Sequence, residues 1–410
     1  MTKLWRICAA GLLAGAAVGQ PVHAQEPADA SQPSDPFAPM QAFLDEAVES
    51  NRIPGGLAMI ALNGEILWQG AAGEMGPDVP MRADAIMPLA SVGKLYTATA
   101  VMILVERGAI GLDDPVSRFF PAFADVQIAV ENADGSETLR PPDRAVTIRD
   151  LLTHTSGLHV AGDGYWPIWN AHAGVTTTTE FANALAALPM NHQPGTHFEY
   201  GFTGGAYEVL GAVIETVTGQ TLEAFMDEAI FAPLGLEESH FFLPDEQLDR
   251  YPAFFHRDGN ELVLDRAYAV PEPRNAYFFG GGGVEASAHD IARFARTFTE
   301  AGFADENRII SVETARLMMR DHIGDLTTFS NGLSWGFGSA VRYGPDGDRS
   351  GLPDQFGWVG GGYAKLIIAP RQGLTAYIAF PIRPPGDNDL LNAFDQVLGE
   401  TVGRMQAAQQ

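Results

Sequence analysis

The chain has 410 residues, with 25 lysines and arginines against 51 aspartates and glutamates, a formal net charge of -26. That balance argues against nucleic acid or an anionic membrane surface as a partner, since both would repel it. The acidic residues are scattered rather than run together, which reads as a solvated surface.

Residues 1–24 read as a secretory signal. Lys3 and Arg6 supply the basic start, residues 7–18 the apolar stretch, and Val22-His23-Ala24 a small-residue cleavage site before Gln25. The apolar stretch is too short for a permanent membrane span. The only cysteine, Cys8, lies inside this leader and away from the cleavage point, so neither a membrane nor a lipid anchor is expected. The mature chain would then hold no disulfide and no thiol chemistry. Its expected place is a bacterial periplasm or the medium. Residues 25–36, rich in Gln, Pro, Asp, Ala and Ser, predict a disordered lead-in. Residues 37–410 exceed the size at which one core stops growing, and two lobes are expected.

The apolar spacing of Phe43, Leu44 and Val48 predicts a helix over residues 37–50. Residues 56–62 and 65–69 are apolar runs flanking Asn63-Gly64, a strong short-range hairpin signal. Next comes Ser91, at the start of a helix that continues through the apolar residues 98–105 and closes at Gly108. Residues 146–158 read as a short helix entering a loop, and residues 179–188, 207–218 and 221–231 as further helices. After residue 280 strands return. Gly280 to Gly283 open a glycine-rich strand entering a helix, with Ser287 and Asp290 as a capping box. Residues 335–342 and 356–380 predict strands, with a turn at 369–373, and residues 387–405 a closing amphipathic helix. The economical architecture is α+β. One antiparallel sheet is built from both ends of the sequence (about 37–90 plus 280–410), with a mostly helical lobe inserted (about 91–279).

Ser91-Val92-Gly93-Lys94 carries the chemistry. A lysine three residues after a serine lies on the same helical face, about one turn away, and an amine beside a hydroxyl can make a nucleophile without a His-Asp pair. Alone, the pattern is better read as a capping serine and a solvated lysine, and it is the rest of the chain that reverses this. Gly332-Leu333-Ser334-Trp335-Gly336 matches a nucleophile elbow, yet the residues after it alternate like a strand. The last histidine, His322, precedes it, so no downstream base exists and the match reads as chance. His154 with His159 and Asp163, or His192 with His197, have ligand-like spacing, but no H-E-x-x-H pair is present and no metal or other cofactor is expected.

Several further blocks stand in order. They are Leu151-Leu-Thr-His-Thr-Ser-Gly-Leu158, Pro194-Gly-Thr-His-Phe-Glu-Tyr200, Leu210-Gly-Ala-Val-Ile-Glu-Thr-Val-Thr-Gly219, Gly280 to Asp290 with Phe294, and Trp358-Val-Gly-Gly361. With Ser91-x-x-Lys94 in this order, the chain from Phe37 to Met405 resembles the serine β-lactamase and penicillin-binding-protein superfamily. The closest likeness is to class C β-lactamases and family VIII carboxylesterases. The resemblance implies that Ser91 attacks the carbonyl, that Lys94 helps take its proton, and that Tyr200 is the second proton-transfer group. It places oxyanion donors at the backbone N–H groups of Ser91 and Gly361. His154, Thr155 and Ser156 fall in the family's structural loop and are expected to be loop hydrogen-bonders.

Two departures bear on the substrate. Gly201 and Phe202 follow Tyr200, so the asparagine that would bind a lactam acylamide is absent. The usual Lys-Thr-Gly motif reads Trp358-Val359-Gly360, which replaces a carboxylate-pairing lysine by a bulky ring. Phe202, Trp358 and Gly360 are therefore substrate-contact candidates. Trp358 reads equally well as a half-buried strand aromatic. Tyr165, Trp166 and Trp169, with Tyr277, Phe278 and Phe279, either wall an apolar cleft or pack between lobes. Unpaired buried polar groups cost about 1–3 kcal/mol each, which weakens the lactam reading. The expectation is an exported carboxylesterase acting on a small-molecule ester of short or medium acyl chain. The alternatives are a β-lactamase or D-alanyl-D-alanine carboxypeptidase, and a non-catalytic relative that binds cell-wall peptides.

Overall fold

The computed structural model describes residues 35–158, 177–200, 205–265, 278–326, 332–344, 349–383 and 386–408. The leader expected at residues 1–24, and the candidates His159, Asp163, Tyr165, Trp166, Trp169, Phe202 and Tyr277, lie outside them.

Helix Ala38–Glu49 places a proline in its first turn, where a missing N–H is harmless, and buries Met40, Leu44 and Ala47. Strands Gly55–Leu62 and Glu65–Gly76 then form the expected hairpin. Asn63 and Gly64 both take positive φ, 54° and 89°, the backbone a tight two-residue turn demands. Strand Gly55–Leu62 is buried along almost its whole length. On its other edge it pairs antiparallel with Leu374–Ala379, from Leu57 opposite Ala379 to Leu62 opposite Leu374. Beyond it follow Ala364–Ala369, Gln355–Gly357, Ala340–Arg342 and Leu333–Trp335, all antiparallel. Segments from early and late in the sequence thus meet in one sheet. The closing helix Asn388–Ala407 starts where the Asp387 side chain accepts the Leu390 N–H, and touches the first helix through Phe43 and Phe394.

Helix Lys94–Glu106 is buried from Lys94 to Leu104 on every face, as befits a helix running through a core rather than over it. Its neighbours include Phe294, stacked on Tyr96 at 3.7 Å.

The structure corrects four local expectations. The glycine run 280–283 is a turn, and the strand after it is only Glu285–Ser287, paired with Ile86–Pro88 and Ser239–His240. Ser287 does cap helix Ala288–Arg296, but the Asp290 carboxylate does not return the bond. It accepts instead from the Glu238 N–H at 2.8 Å and the Ser239 hydroxyl at 2.9 Å. The strand expected over 335–342 is two strands joined at Gly336–Ser339, where Gly338 has φ of 89°. The mostly helical middle also contains two hairpins, Ile128–Glu131 with Glu137–Arg140 and Phe255–Asp258 with Glu261–Leu264.

Candidate active site

Ser91 lies in a single 3-10 turn, Ala90–Gly93, that feeds directly into helix Lys94–Glu106. It therefore precedes the α-helix by one turn instead of opening it. Ala90 has φ of 44°, a left-handed conformation that costs a β-carbon-bearing residue about 1–2 kcal/mol. Strain of this kind persists only where surrounding contacts impose it. Here they come from both sides. The Leu89 N–H bonds the Val284 carbonyl at 2.9 Å, and a Cβ on Gly360 would stand 2.2 Å from the Leu89 oxygen. Glycine at 360 is what lets the short strand Val359–Gly360 press against the Ser91 turn. Gly361 follows at once, with φ of 57°.

Lys94 is almost wholly buried, and its Nζ donates to Ser91 Oγ at 2.9 Å and to the Gly281 carbonyl at 2.8 Å. The ammonium lies 5.6 Å from the Tyr200 ring centre and 5.7 Å from that of Tyr207. Cation–π attraction is worth about 2 kcal/mol or more where both partners are desolvated. The hydroxyl of Tyr207 is engaged elsewhere, donating to the Leu152 carbonyl at 2.9 Å. Tyr200 is half-buried, and its Oη accepts the indole N–H of Trp358 at 2.7 Å. Ser91, Lys94, Tyr200 and Trp358, drawn from three separate segments, are thus brought together.

An aromatic box fixes the Tyr200 ring. Trp358 stands 5.1 Å from it, Trp335 5.4 Å and His154 4.8 Å, while Trp335 and Trp358 meet edge to face at 4.9 Å. The Trp335 indole is anchored by the Leu152 carbonyl at 3.2 Å. His154 does hydrogen-bond through its backbone, its carbonyl accepting the Glu199 N–H at 2.9 Å, but its ring has a further part. Its ring is a wall of this box, its Nε2 is buried without a partner among the described residues, and its backbone is left-handed with φ of 55°. Burial first, then the Lys94 charge, holds its imidazole well below the usual histidine range, so it is neutral. Thr155 and Ser156 do bond within the loop, to Thr153 at 2.8 Å and from the Leu158 N–H at 3.3 Å.

Other candidates separate from this centre. Ser334 is buried in an edge strand and its hydroxyl is held by Asp321, so the elbow-like motif is structural. His192 and His197 lie side by side at 4.9 Å, with His192 3.5 Å from Glu199, but no group of three potential metal ligands occurs among the described residues. Phe278 packs on Phe241 and Phe242 at 5.4 and 5.6 Å, as core rather than cleft. Sequence reasoning missed Trp335 and the buried Glu208, whose Oε2 accepts the Gly281 N–H at 2.7 Å. A lone carboxylate within Ala206-Tyr207-Glu208-Val209-Leu210 was the available signal.

The beta-lactamase family model matches residues 40–399. Esterase EstB of Burkholderia gladioli is 33% identical over 370 residues, covering 82% of this chain and 87% of the relative. Penicillin-binding protein 4 of Amycolatopsis lactamdurans is 32% identical over 374 residues, covering 88% and 90%. Among solved structures, EstCE1, a hydrolase with promiscuous acyltransferase activity, superposes with a TM-score of 0.72 at 24% identity, covering 89% of this chain and 98% of its own. At that identity the match speaks for the fold alone.

Proposed function

Since the chain belongs to the beta-lactamase family and is a serine hydrolase within it, we propose that it is an exported carboxylesterase cleaving short- and medium-chain acyl esters through an acyl-enzyme on Ser91. In this reading residues 1–24 are removed on export to the periplasm or medium, and residues 37–410 form the hydrolase domain.

Ser91 Oγ attacks the ester carbonyl while its proton passes to the Lys94–Tyr200 pair. Lys94 at 2.9 Å steadies the developing alkoxide, and Tyr200, acting as the phenolate, takes the proton to become the phenol that then protonates the departing alcohol. The backbone N–H groups of Ser91 and Gly361 receive the carbonyl oxygen as it becomes an oxyanion. Water then enters, gives its proton to the same pair, and releases the acid.

One observation favours an ester over a lactam or peptide. Where a substrate carboxylate would meet a lysine, the site presents Trp358, whose only side-chain donor is already spent on Tyr200 at 2.7 Å. The strand Val359–Gly360 itself carries no cation to meet a carboxylate, and the partly buried Trp358 and Tyr200 rings, backed by the buried Trp335, suit an apolar acyl chain. Phe202 and Gly360 are proposed to complete that wall. EstB, an esterase by name, supports the same choice, whereas the penicillin-binding relative keeps the lactam alternative alive as a test. Turnover of p-nitrophenyl butyrate and of a chromogenic cephalosporin should be measured for the mature protein and for Ser91→Ala. Ester turnover lost in the variant, with negligible cephalosporin cleavage, is the expected result. Efficient cephalosporin cleavage would overturn the substrate class, and the absence of any acylation would favour a binding relative.

A further inference from the structure

The glycine turn 280–283 is clasped from two sides, and a buried carboxyl does part of the clasping. Glu208, in helix Gly205–Thr218, is fully buried. Its Oε2 accepts the Gly281 N–H at 2.7 Å, and the carbonyl of the same residue accepts from Lys94 Nζ at 2.8 Å. Thr97 fastens the neighbouring Gly280 carbonyl at 2.6 Å. A Cβ on Gly281 would stand 2.7 Å from Glu208 Oε1, and one on Gly280 2.4 Å from the Tyr207 carbonyl. Any larger residue would push the carboxyl or the turn away. Glu208 Oε1 has no partner among the described residues. A carboxyl buried at this cost next to the nucleophile's own amine calls for a reason.

We propose that Glu208 is a positioning residue of the Ser91 centre, holding the Gly281 peptide under Lys94 and supplying a negative charge beside the amine that bonds Ser91. The proposal rests on reading Ser91 as the nucleophile. Burial raises the Glu208 carboxyl to about 8, against the opposing pull of the Lys94 charge and the Gly281 and Gly280 N–H groups. Below that value the carboxyl is neutral, and above it the carboxylate directs its charge toward Lys94. Among the described residues, Lys94 is the charged group that acts on this carboxyl. Around Lys94 itself stand the neutral His154, from the end of helix Ile148–Leu152, and the rings of Tyr200 and Tyr207. The glycine turn itself carries no titratable group. Glu215, two turns further along the same helix, accepts the Leu222 N–H at 2.9 Å.

The test follows Ser91 itself and does not depend on the natural substrate. The rate at which a p-nitrophenyl alkylphosphonate modifies Ser91 is read from p-nitrophenol release across neutral to alkaline pH. Wild type, Glu208→Gln and Glu208→Asp are compared, each profile normalised to its own maximum so that a loss of folded protein does not enter. Glu208→Gln should keep the clasp but lose the charge, and its alkaline decline should begin about one pH unit lower, a roughly tenfold rate difference at the same pH. Glu208→Asp, which keeps the charge, should keep the decline near its wild-type position. Superimposable wild-type and Gln profiles, or equal shifts for Gln and Asp, would overturn the proposal. A wild type that is not modified at all would instead refute the nucleophile reading beneath it.

Discussion

Replacing Trp358 by phenylalanine removes the indole N–H together with part of the fused ring. The ring that packs edge to face on Trp335 at 4.9 Å and on Tyr200 at 5.1 Å is kept in large part, while the 2.7 Å donor to Tyr200 Oη is lost. While the phenol is neutral, such a bond is worth about 0.5–1.5 kcal/mol. When the oxygen carries charge it is worth about 1.5–3 kcal/mol. Only the difference between the two states changes the rate. That difference, about 1–1.5 kcal/mol, corresponds to roughly a tenfold fall in kcat/KM at a factor of ten per 1.36 kcal/mol. The loss should appear in kcat, because Tyr200 carries charge only as the phenolate that takes the Ser91 proton, and is neutral again once it holds that proton. Steady-state hydrolysis of p-nitrophenyl butyrate by Trp358→Phe measures it directly. A kcat/KM equal to wild type would mean that Tyr200 never becomes charged, and a change confined to KM would mean that Trp358 acts only as a wall.

Other consequences can be checked alongside. Tyr200→Phe should lower kcat by about 10²–10⁴-fold, the usual worth of a general acid–base group, while thermal unfolding stays close to wild type; a near-normal kcat would remove Tyr200 from the chemistry. Gly360→Ala puts a Cβ 2.2 Å from the Leu89 oxygen, and overpacking of that kind costs about 1–3 kcal/mol, so both the melting temperature and the esterase rate should drop. An unchanged rate would show that the edge strand can shift without disturbing Ser91. Glu285 is raised well above 4.5 by burial, so its neutral form is the one that folds. Its contribution is fully present below the unfolded value and is lost as pH rises through the folded one. Glu285→Gln should accordingly gain stability relative to wild type, in urea unfolding, as pH increases from 5 to 8; a gap that does not vary with pH would contradict the burial argument.

Local chemistry explains which parts of this structure are legible along the chain. Asn63-Gly64 dictates a hairpin because its two residues tolerate positive φ, and the continuous apolar run 56–62 fits a strand covered on both faces. Ser91 and Lys94 meet as their spacing requires. Asp134-Gly135 and Gly259-Asn260 are equally local signals for the two hairpins of the middle segment, but neighbouring helical patterns mask them. The illegible part is tertiary. Asp290 prefers Glu238 and Ser239, from 52 and 51 residues away, to its own cap. The Trp358–Tyr200 bond joins residues 158 apart, and no pattern along the chain encodes it. His154 becomes an aromatic wall because Tyr200, Tyr207 and Trp335 converge on its ring, an outcome of packing rather than of loop composition.

The central claim is that Ser91 carries the acyl group. The most direct test is to quench the protein with acid during turnover of p-nitrophenyl butyrate and locate the added butyryl group by peptide mass spectrometry. Butyrylation is expected on the peptide bearing Ser91 and should be absent in Ser91→Ala. Butyryl found on Ser334 instead, or ester turnover that survives in Ser91→Ala, would contradict it.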